Sequence, residues 1–378
     1  MRLDVPLSAP HDVRGYPIEI LSDLPGAAAP LLVSVLSPRA RRLLVVTDAN
    51  VAPLYAEDFA AALLAAGFAP STLVLPAGEA DKHMGSVQRV LDAAFAHKLS
   101  RTDALIALGG GVVGDITGFA AAIYQRGVDV VQVPTTLLAQ VDSSIGGKTG
   151  VNHDTGKNLI GAFWSPRAVL ASQAVLRTLP PREVRCGLAE AIKHALIAEA
   201  PLLVRLLSLA PDLLALEPLA TAELVHSCCR IKSAIVAEDP REDPIAGRRA
   251  VLNFGHTFGH AYEKLLGYGH WTHGEAVAVG MIWAARLSER LAVAAPGLEA
   301  AVHQALAAFG LPHAPEADGM PALASLIEAA RGDKKGDAET VRFVLMPRIG
   351  EAVVQRLAWA EVQRALAADA PHASGATP

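Results

Sequence analysis

Residues 103–115 read Asp-Ala-Leu-Ile-Ala-Leu-Gly-Gly-Gly-Val-Val-Gly-Asp, an apolar run that passes directly into a cluster of glycines. A short, continuously apolar run that ends in glycine is typical of a buried parallel strand. The glycines at 109, 111 and 114 have the spacing of a dinucleotide-binding turn, in which a helix N-terminus faces a pyrophosphate. The stretch therefore predicts a strand, a tight turn and a helix, which is the repeating unit of an α/β fold.

The glycine turn alone is weak evidence for a nucleotide site. It follows the third predicted strand rather than the first, and Asp129 begins the next predicted strand instead of ending it. Asp48, which ends the first strong apolar run, is placed to bind a ribose. A tight glycine turn without a ligand remains the alternative.

Strands and helices alternate on both sides of this unit. Further elements are predicted at residues 42–47, 51–66, 71–75, 84–97, 113–124 and 128–133. This alternation is typical of a parallel sheet with right-handed crossovers. The polar, glycine-rich residues 142–158 predict an ordered loop or hairpin instead.

The character of the chain changes at Pro180-Pro181. Beyond this point helical periodicity dominates, with one strand predicted at residues 341–346. We therefore expect an α/β protein with an N-terminal Rossmann-like parallel-sheet domain over residues 1–180 and a C-terminal all-α domain over residues 181–378.

Composition excludes several classes of protein. The 378 residues are 52% hydrophobic and 19% charged, which is typical of a globular chain. A formal net charge of -5 argues against a nucleic-acid surface, and no apolar run reaches the length of about 18 residues that a membrane-spanning helix requires. The N-terminus lacks a secretory signal, and Cys186, Cys228 and Cys229 make a poor disulfide framework. We expect a cytoplasmic protein with three buried thiols and with neither a nucleic-acid nor a membrane partner.

Histidines are dense in a later stretch. His256 and His260 lie at i, i+4, as two helical zinc ligands would, but Thr257 replaces the glutamate that a zinc protease requires, so peptide hydrolysis is disfavoured. A catalytic metal needs three protein ligands and an open position. Residue spacing is compatible with three interpretations. The metal ligands could be Glu190, His256 and His273, or they could be His256, His260 and Glu275. The third interpretation is that these histidines only pack in the core.

Other charged residues have a structural alternative. Glu190 and Lys193 lie one helical turn apart, a spacing that usually makes an exposed ion pair. Gly147-Lys148-Thr149 looks like the end of a phosphate-binding loop, but Asp142 occupies a position where that loop requires glycine, so an ATP site is excluded. What remains is a polar loop whose lysines, Lys148 and Lys157, are either solvated or bind an anion.

Together these segments resemble the 3-dehydroquinate synthase family, whose members cyclise a seven-carbon sugar-acid phosphate. The matching runs follow the family order over about residues 15–360: Gly78 to Lys82, Gly109 to Asp115, Tyr124 to Gly127, Gln132 to Ser144, Gly146 to Thr149, Gly156 to Phe163, Ala189 to Lys193, Leu252 to Ala261 and His273 to Met281. The resemblance implies an NAD-binding first domain, a helical metal-binding second domain and a homodimer.

Residue roles also follow from the resemblance. It implies Zn²⁺, replaceable by Co²⁺, on Glu190, His256 and His273. It places NAD on Asp48, Gly78, Glu79, Ala80, Asp81, Lys82, His83, Gly111, Val112, Val113, Gly114, Asp115, Thr135, Thr136, Lys148, Lys157, Val175, Leu176, Arg177 and Thr178. It places the substrate on Asp142, Lys148, Lys232 and Arg249, and its phosphate on Asn158, Lys193, Asn253, His260, Lys334 and Arg126 of the partner subunit.

The reaction implied is the conversion of 3-deoxy-D-arabino-heptulosonate 7-phosphate, a small molecule, to 3-dehydroquinate and phosphate. Oxidation, phosphate elimination, reduction and an internal aldol closure follow one another, so NAD is recycled. Another sugar-phosphate cyclase, or a metal-dependent alcohol or glycerol dehydrogenase of the same fold, is the alternative. The loop from Asp239 to Arg248 looks longer than is usual in the family, and Glu242 is the candidate for the acidic contact that the family makes there.

Overall fold

Each apolar run predicted as a strand in the first part of the chain forms one. The computed structural model describes residues 15–245, 247–267, 270–315, 317, 319–333 and 339–367. They divide into two units, of which the first ends at Leu179 and the second begins at Pro180.

The first unit is built on a six-stranded sheet with the order β1-β8-β5-β4-β2-β3, in which every pairing is parallel. Its strands, with those of a separate hairpin, are β1 Ile18–Leu21, β2 Arg42–Asp48, β3 Ala69–Leu75, β4 Ala104–Gly109, β5 Asp129–Pro134, β6 Lys148–His153, β7 Gly156–Phe163 and β8 Ala168–Ser172. Its α-helices are α1 Pro25–Val35, α2 Glu57–Ala65, α3 Met84–Ala96 and α4 Gly111–Ile123.

The central strands are apolar on both faces because helices cover both faces of the sheet. Val45 and Ile106 belong to one buried cluster with residues of α1 and α2, whereas Val46 and Leu105 belong to another with residues of α3 and α4. Successive side chains of a strand point to opposite faces, so an uninterrupted apolar run supplies two cores at once.

The predicted loop or hairpin at residues 142–158 contains an antiparallel hairpin of β6 and β7. The two strands meet through glycines, since a Cβ at Gly161 would lie only 3.0 Å from the Cα of Gly150. Strands β1 and β8 were not predicted, and with β1 counted the glycine turn follows the fourth strand.

In its described residues the second unit is helical apart from an antiparallel hairpin of β9 Thr340–Arg348 and β10 Glu351–Ala358, so the expectation of an all-α domain needs this correction. Only β9 was predicted from the sequence. The helices are α5 Pro181–Ala198, α6 Ala200–Ser208, α7 Ala210–Leu214, α8 Pro218–Glu238, α9 His256–Leu266, α10 His273–Arg290, α11 Leu298–Ala308, α12 Leu323–Asp333 and α13 Trp359–Ala367. Within the described part of the chain, no helix has both the length and the apolar character to cross a membrane.

Candidate active site

Three potential metal ligands converge within the second unit. Glu190 lies on α5 and is fully buried. Its Oε1 lies 3.8 Å from Nε2 of His256 and 3.7 Å from Nε2 of His273. No hydrogen-bond donor among the described residues reaches this oxygen. A buried carboxylate oxygen without a donor is costly, so the arrangement calls for a cation.

The separations suit a tetrahedral metal. Bonds of about 2.0–2.1 Å from zinc to carboxylate oxygen and imidazole nitrogen put neighbouring ligand atoms about 3.4 Å apart. Of the two ligand sets that spacing left open, the structure brings together Glu190, His256 and His273. Glu275 instead closes a capping box at the start of α10 and pairs with Arg182. The donor set therefore fits a divalent metal with one open position.

Close backbone packing fixes the helices that carry these ligands. A Cβ at Gly280 of α10 would overlap the carbonyl oxygen of Gly255, and one at Gly255 would lie 2.6 Å from the side chain of Met281. Likewise, a Cβ at Gly274 would lie 2.6 Å from the Cα of Cys186 on α5, and the Gly274 N–H donates to the Cys186 Sγ at 3.2 Å. Only glycine permits such approaches, so α5, α9 and α10 are held at fixed spacings.

The ion pair of Lys193 and Glu190 lies in the interior, because the side chains are 2% and 0% exposed. The alternative of a solvated surface pair is therefore wrong. Burial, followed by the nearby Lys193 ammonium and by His273 and His260, holds the pKa of His256 well below its usual value. His256 is consequently neutral near physiological pH, which is the form that binds a metal.

Two residues assigned to the phosphate lie on or beside α9. The ring of His260 is one turn from His256, with 5.5 Å between the ring centroids. Asn253 precedes α9 and donates from Nδ2 to Oε1 of Glu242 at 3.1 Å. The long loop thus does bring an acidic side chain to a predicted substrate residue.

The two cationic side chains that the resemblance assigns to the substrate, Lys232 and Arg249, are buried. Lys232 is 6% exposed and Arg249 is 2% exposed. Arg249 donates to the carbonyl oxygen of Pro240 at 2.7 Å, and its backbone N–H donates to Oδ2 of Asp239 at 3.1 Å. Both cations therefore lie largely out of contact with solvent.

In the first unit, three separately predicted segments meet at Lys82. Its ammonium lies 2.6 Å from Oδ2 of Asp115, in the first turns of α4, and donates to Oδ1 of Asn158, on β7, at 2.6 Å. A second bond, from Nδ2 of Asn152 to Oε1 of Glu79 at 2.8 Å, ties the same turn to the hairpin. One polar cluster therefore joins the turn at residues 78–82, helix α4 and the hairpin of β6 and β7.

The remaining residues assigned to NAD follow the carboxyl ends of sheet strands, where α/β sheets bind nucleotides. Asp48 ends β2, and its Oδ1 accepts from the N–H groups of Asn50 and Val51 at 2.8 and 3.0 Å. Thr135 and Thr136 follow β5. After β8, the Thr178 hydroxyl shares a 2.6 Å hydrogen bond with the Tyr55 hydroxyl.

Other assigned residues occupy less enclosed positions. Lys148 is exposed at the start of β6, and Asp142 is half-buried. Arg126 has a left-handed backbone with φ of +68°, directly after Gln125 with φ of +48°. Consecutive left-handed residues other than glycine are uncommon and mark strained, often functional turns. Lys334 lies outside the described residues.

Comparison with known proteins gives an independent identification. Residues 72–186 match the family model described as 3-dehydroquinate synthase N-terminal, and residues 187–336 match the one described as 3-dehydroquinate synthase C-terminal. The 3-dehydroquinate synthase of Neisseria meningitidis serogroup C (strain 053442) is 45% identical over 351 residues, which are 93% of this chain and 95% of that protein. The chain belongs to the 3-dehydroquinate synthase family.

Solved structures similar to this member of the family include two synthases. One is ValA, a 2-epi-5-epi-valiolone synthase from Streptomyces hygroscopicus subsp. jinggangensis 5008 with NAD⁺ and Zn²⁺ bound; it is 28% identical, with a TM-score of 0.85 over 97% of this chain and 98% of that one. The other is a 2-deoxy-scyllo-inosose synthase complexed with carbaglucose-6-phosphate, NAD⁺ and Co²⁺; it is 25% identical, with a TM-score of 0.82 over 93% and 96%.

One buried acidic residue of this family member was missed by the sequence analysis. Glu263 on α9 is 5% exposed, and its Oε1 lies 3.4 Å from Nδ1 of His273. Its position at i+7 from His256 and i+3 from His260 puts it on the same helix face as both, which is the signal that could have found it.

Proposed function

We propose that this protein is a 3-dehydroquinate synthase that converts 3-deoxy-D-arabino-heptulosonate 7-phosphate to 3-dehydroquinate and phosphate, with NAD and a divalent metal, as a cytoplasmic homodimer. The observation that carries the proposal is the convergence of buried Glu190 with Nε2 of His256 and His273 in a chain of this family. A regulator that only bound NAD would have no use for an open-sided metal site.

The chain's own groups prepare the reaction. When bound, the metal would polarise a substrate hydroxyl and NAD would take and return a hydride. Glu190 and the neutral His256 supply donors on fixed helices. Lys232 and Arg249 carry buried positive charge that would complement the carboxylate of the substrate, and Lys193, which pairs with Glu190, would lie near its phosphate.

For the first unit, we propose that NAD lies along the carboxyl edge of the sheet. The N-terminus of α4 would face its pyrophosphate, and the oxygen Oδ2 of Asp48 would bind a ribose hydroxyl. Lys82 would hold the glycine-initiated helix to the hairpin that carries Lys157 and Asn158. The other cofactor and substrate roles given by the resemblance remain part of this proposal.

Phosphate release from the heptulosonate phosphate, with NAD and metal, tests the activity. We expect release that a chelator stops and added zinc or cobalt restores, with no lasting NADH absorbance. NADH that accumulates with an alcohol would indicate a dehydrogenase, and release from a different sugar phosphate alone would indicate another cyclase. Either result would overturn the proposal.

A pair of variants tests whether the two histidines of α9 have different roles, with His256 as a metal ligand and His260 as a phosphate contact. His256→Ala should remove bound metal, whereas His260→Ala should keep the metal and lose turnover, because His256 shares a group of potential ligands with Glu190 and His273. Metal content measured on the purified proteins decides between them. Equal loss of metal in both variants would show that the ligand assignment is wrong.

A mixing experiment tests the homodimer and Arg126. Subunits with Arg126→Ala and subunits with His256→Ala should each be inactive alone. If Arg126 of the partner subunit completes each site, random mixing should restore about a quarter of the wild-type activity, since half of the dimers are hybrids with one complete site. No recovery in dimers that have demonstrably exchanged subunits would refute this role.

A further inference from the structure

His273 lies between two buried carboxylates that face opposite nitrogens of its ring. Its Nε2 is 3.7 Å from Oε1 of Glu190, and its Nδ1 is 3.4 Å from Oε1 of Glu263. The second distance is at the outer edge of hydrogen-bond reach for an N–H donor. Glu190 belongs to the proposed metal site, whereas no role has so far been given to Glu263.

The other imidazole ligand has a matching arrangement. Nδ1 of His256 lies 3.2 Å from the carbonyl oxygen of Phe254, while its Nε2 faces Glu190. In both rings, therefore, an acceptor stands beside Nδ1 and leaves Nε2 for the metal. The difference is that the acceptor for His256 is a neutral carbonyl and the acceptor for His273 is a carboxylate.

We propose that Glu263 is a positioning residue that accepts the Nδ1–H of His273, and so fixes the tautomer and the orientation in which Nε2 binds the metal. This inference rests on the proposed metal site. A carboxylate behind a ligating histidine also makes the imidazole a stronger electron donor, and losing such a partner typically weakens metal binding by about 10–100-fold.

The burial of Glu263 favours a hydrogen-bonding role over a role in packing alone. It is 5% exposed on a helix whose other buried side chains include Phe258, Ala261 and Tyr262. A carboxylate in such surroundings costs stability unless it is hydrogen-bonded. The ring of His273 offers a hydrogen-bond donor to Glu263, and an apolar side chain at position 263 could not accept that hydrogen bond.

The same side chains allow one competing arrangement. His260, Glu263 and His273 also place ligand atoms within 4.8 Å of one another, so a metal could bind to Nδ1 of His273 with Glu263 as a direct ligand. A neutral imidazole has a single nitrogen lone pair. That arrangement would therefore protonate Nε2 of His273 and leave Glu190 and His256 without the ion, although Oε1 of Glu190 lies close to the Nε2 atoms of both histidines.

The test uses the full chain loaded with cobalt. Glu263→Gln removes the charge at nearly constant volume, and Glu263→Met removes the acceptor. We expect both variants to bind one cobalt ion per chain. The cobalt affinity, measured by chelator competition, should fall about 10–100-fold in Glu263→Met and less in Glu263→Gln. The visible absorption bands of the bound cobalt should shift in wavelength. Glu275→Gln, which alters a carboxylate of α10 that pairs with Arg182, is the matched control and should leave affinity and spectrum unchanged.

Each result has one meaning. Affinity and cobalt bands equal to those of the wild type in Glu263→Gln and Glu263→Met would overturn the proposal and leave a structural role. Loss of the ion in Glu263→Gln but not in Glu190→Gln would overturn it in favour of direct ligation. If Glu263→Met fails to fold, the spectrum and affinity of Glu263→Gln decide. Failure of the wild type to bind cobalt or release phosphate would instead refute the proposed function.

Discussion

Replacing Gly280 by alanine should damage stability and metal binding together. A Cβ at this position would overlap the carbonyl oxygen of Gly255 and lie 2.8 Å from the amide nitrogen of Gly259. Ordinary contacts between such atoms are about 3.5 Å, so clearing the Gly259 nitrogen alone would require α9 and α10 to separate by about 0.7 Å, and clearing the Gly255 oxygen would require more. Both obstacles are backbone atoms, which cannot rotate away as a side chain could.

The size of the effect follows from this separation. Overpacking of a core costs about 1–3 kcal/mol, and a backbone clash belongs at the upper end of that range. The better helix propensity of alanine returns about 1 kcal/mol, which leaves about 2 kcal/mol of net destabilisation. For a domain of this size, that lowers Tm by about 4–8 °C. Because α9 carries His256 and α10 begins with His273, metal affinity should fall about tenfold or more.

Gly332→Ala is the matched control. Gly332 lies exposed near the end of α12, where the one described atom that a Cβ would meet is the flexible Nζ of Lys264 at 3.3 Å. This variant should keep its metal affinity and gain up to about 1 kcal/mol. Thermal unfolding and chelator competition on both proteins check the prediction. If Gly280→Ala unfolds and binds metal as Gly332→Ala does, close helix packing does not hold the ligands.

Three further predictions follow from buried polar groups. Lys82→Met should weaken NAD binding in a fluorescence titration but leave metal content unchanged, because it removes the cation that joins Asp115 to Asn158. Burial raises the pKa of the Cys186 and Cys229 thiols to about 12, so the native protein should resist iodoacetamide at mildly alkaline pH while the urea-unfolded chain reacts, as judged by mass spectrometry. The pKa of His256 is lower in the folded state than the ordinary 6.5, so between these two pKa values the unfolded chain binds a proton that the folded chain does not. The free energy of unfolding of the metal-free protein should therefore decrease as the pH falls below 6.5. His256→Gln, which cannot take up this proton, should show a smaller decrease.

The sheet could be predicted largely because its central strands are continuously apolar. The runs that form β2, β4 and β5 are buried on both faces, and such runs end visibly at glycine, proline or aspartate. Strand β1 has four half-buried residues and no apolar run, so nothing local distinguishes it. Strand β10 was missed for a similar reason, since half of its residues are only partly buried and most of the others are exposed.

The metal site could be predicted only in part from the residues themselves. Spacing identified Glu190 and His256 as candidates but left two ligand sets open, because the choice depends on how α5 packs against α10. That packing rests on the contact of Gly274 with Cys186, which no local pattern encodes. Glu263 was missed because a lone glutamate on a helix usually lies in solvent.

The buried ion pair of Lys193 and Glu190 bears on whether the chain needs a metal in order to fold. An isolated carboxylate in the interior would make folding depend on the metal, as it does in small zinc domains that unfold when stripped. Here the ammonium already balances one oxygen of the carboxylate within the folded chain. We therefore expect the chain to fold without the ion, in which case the proposed site would take the divalent metal that is available after folding.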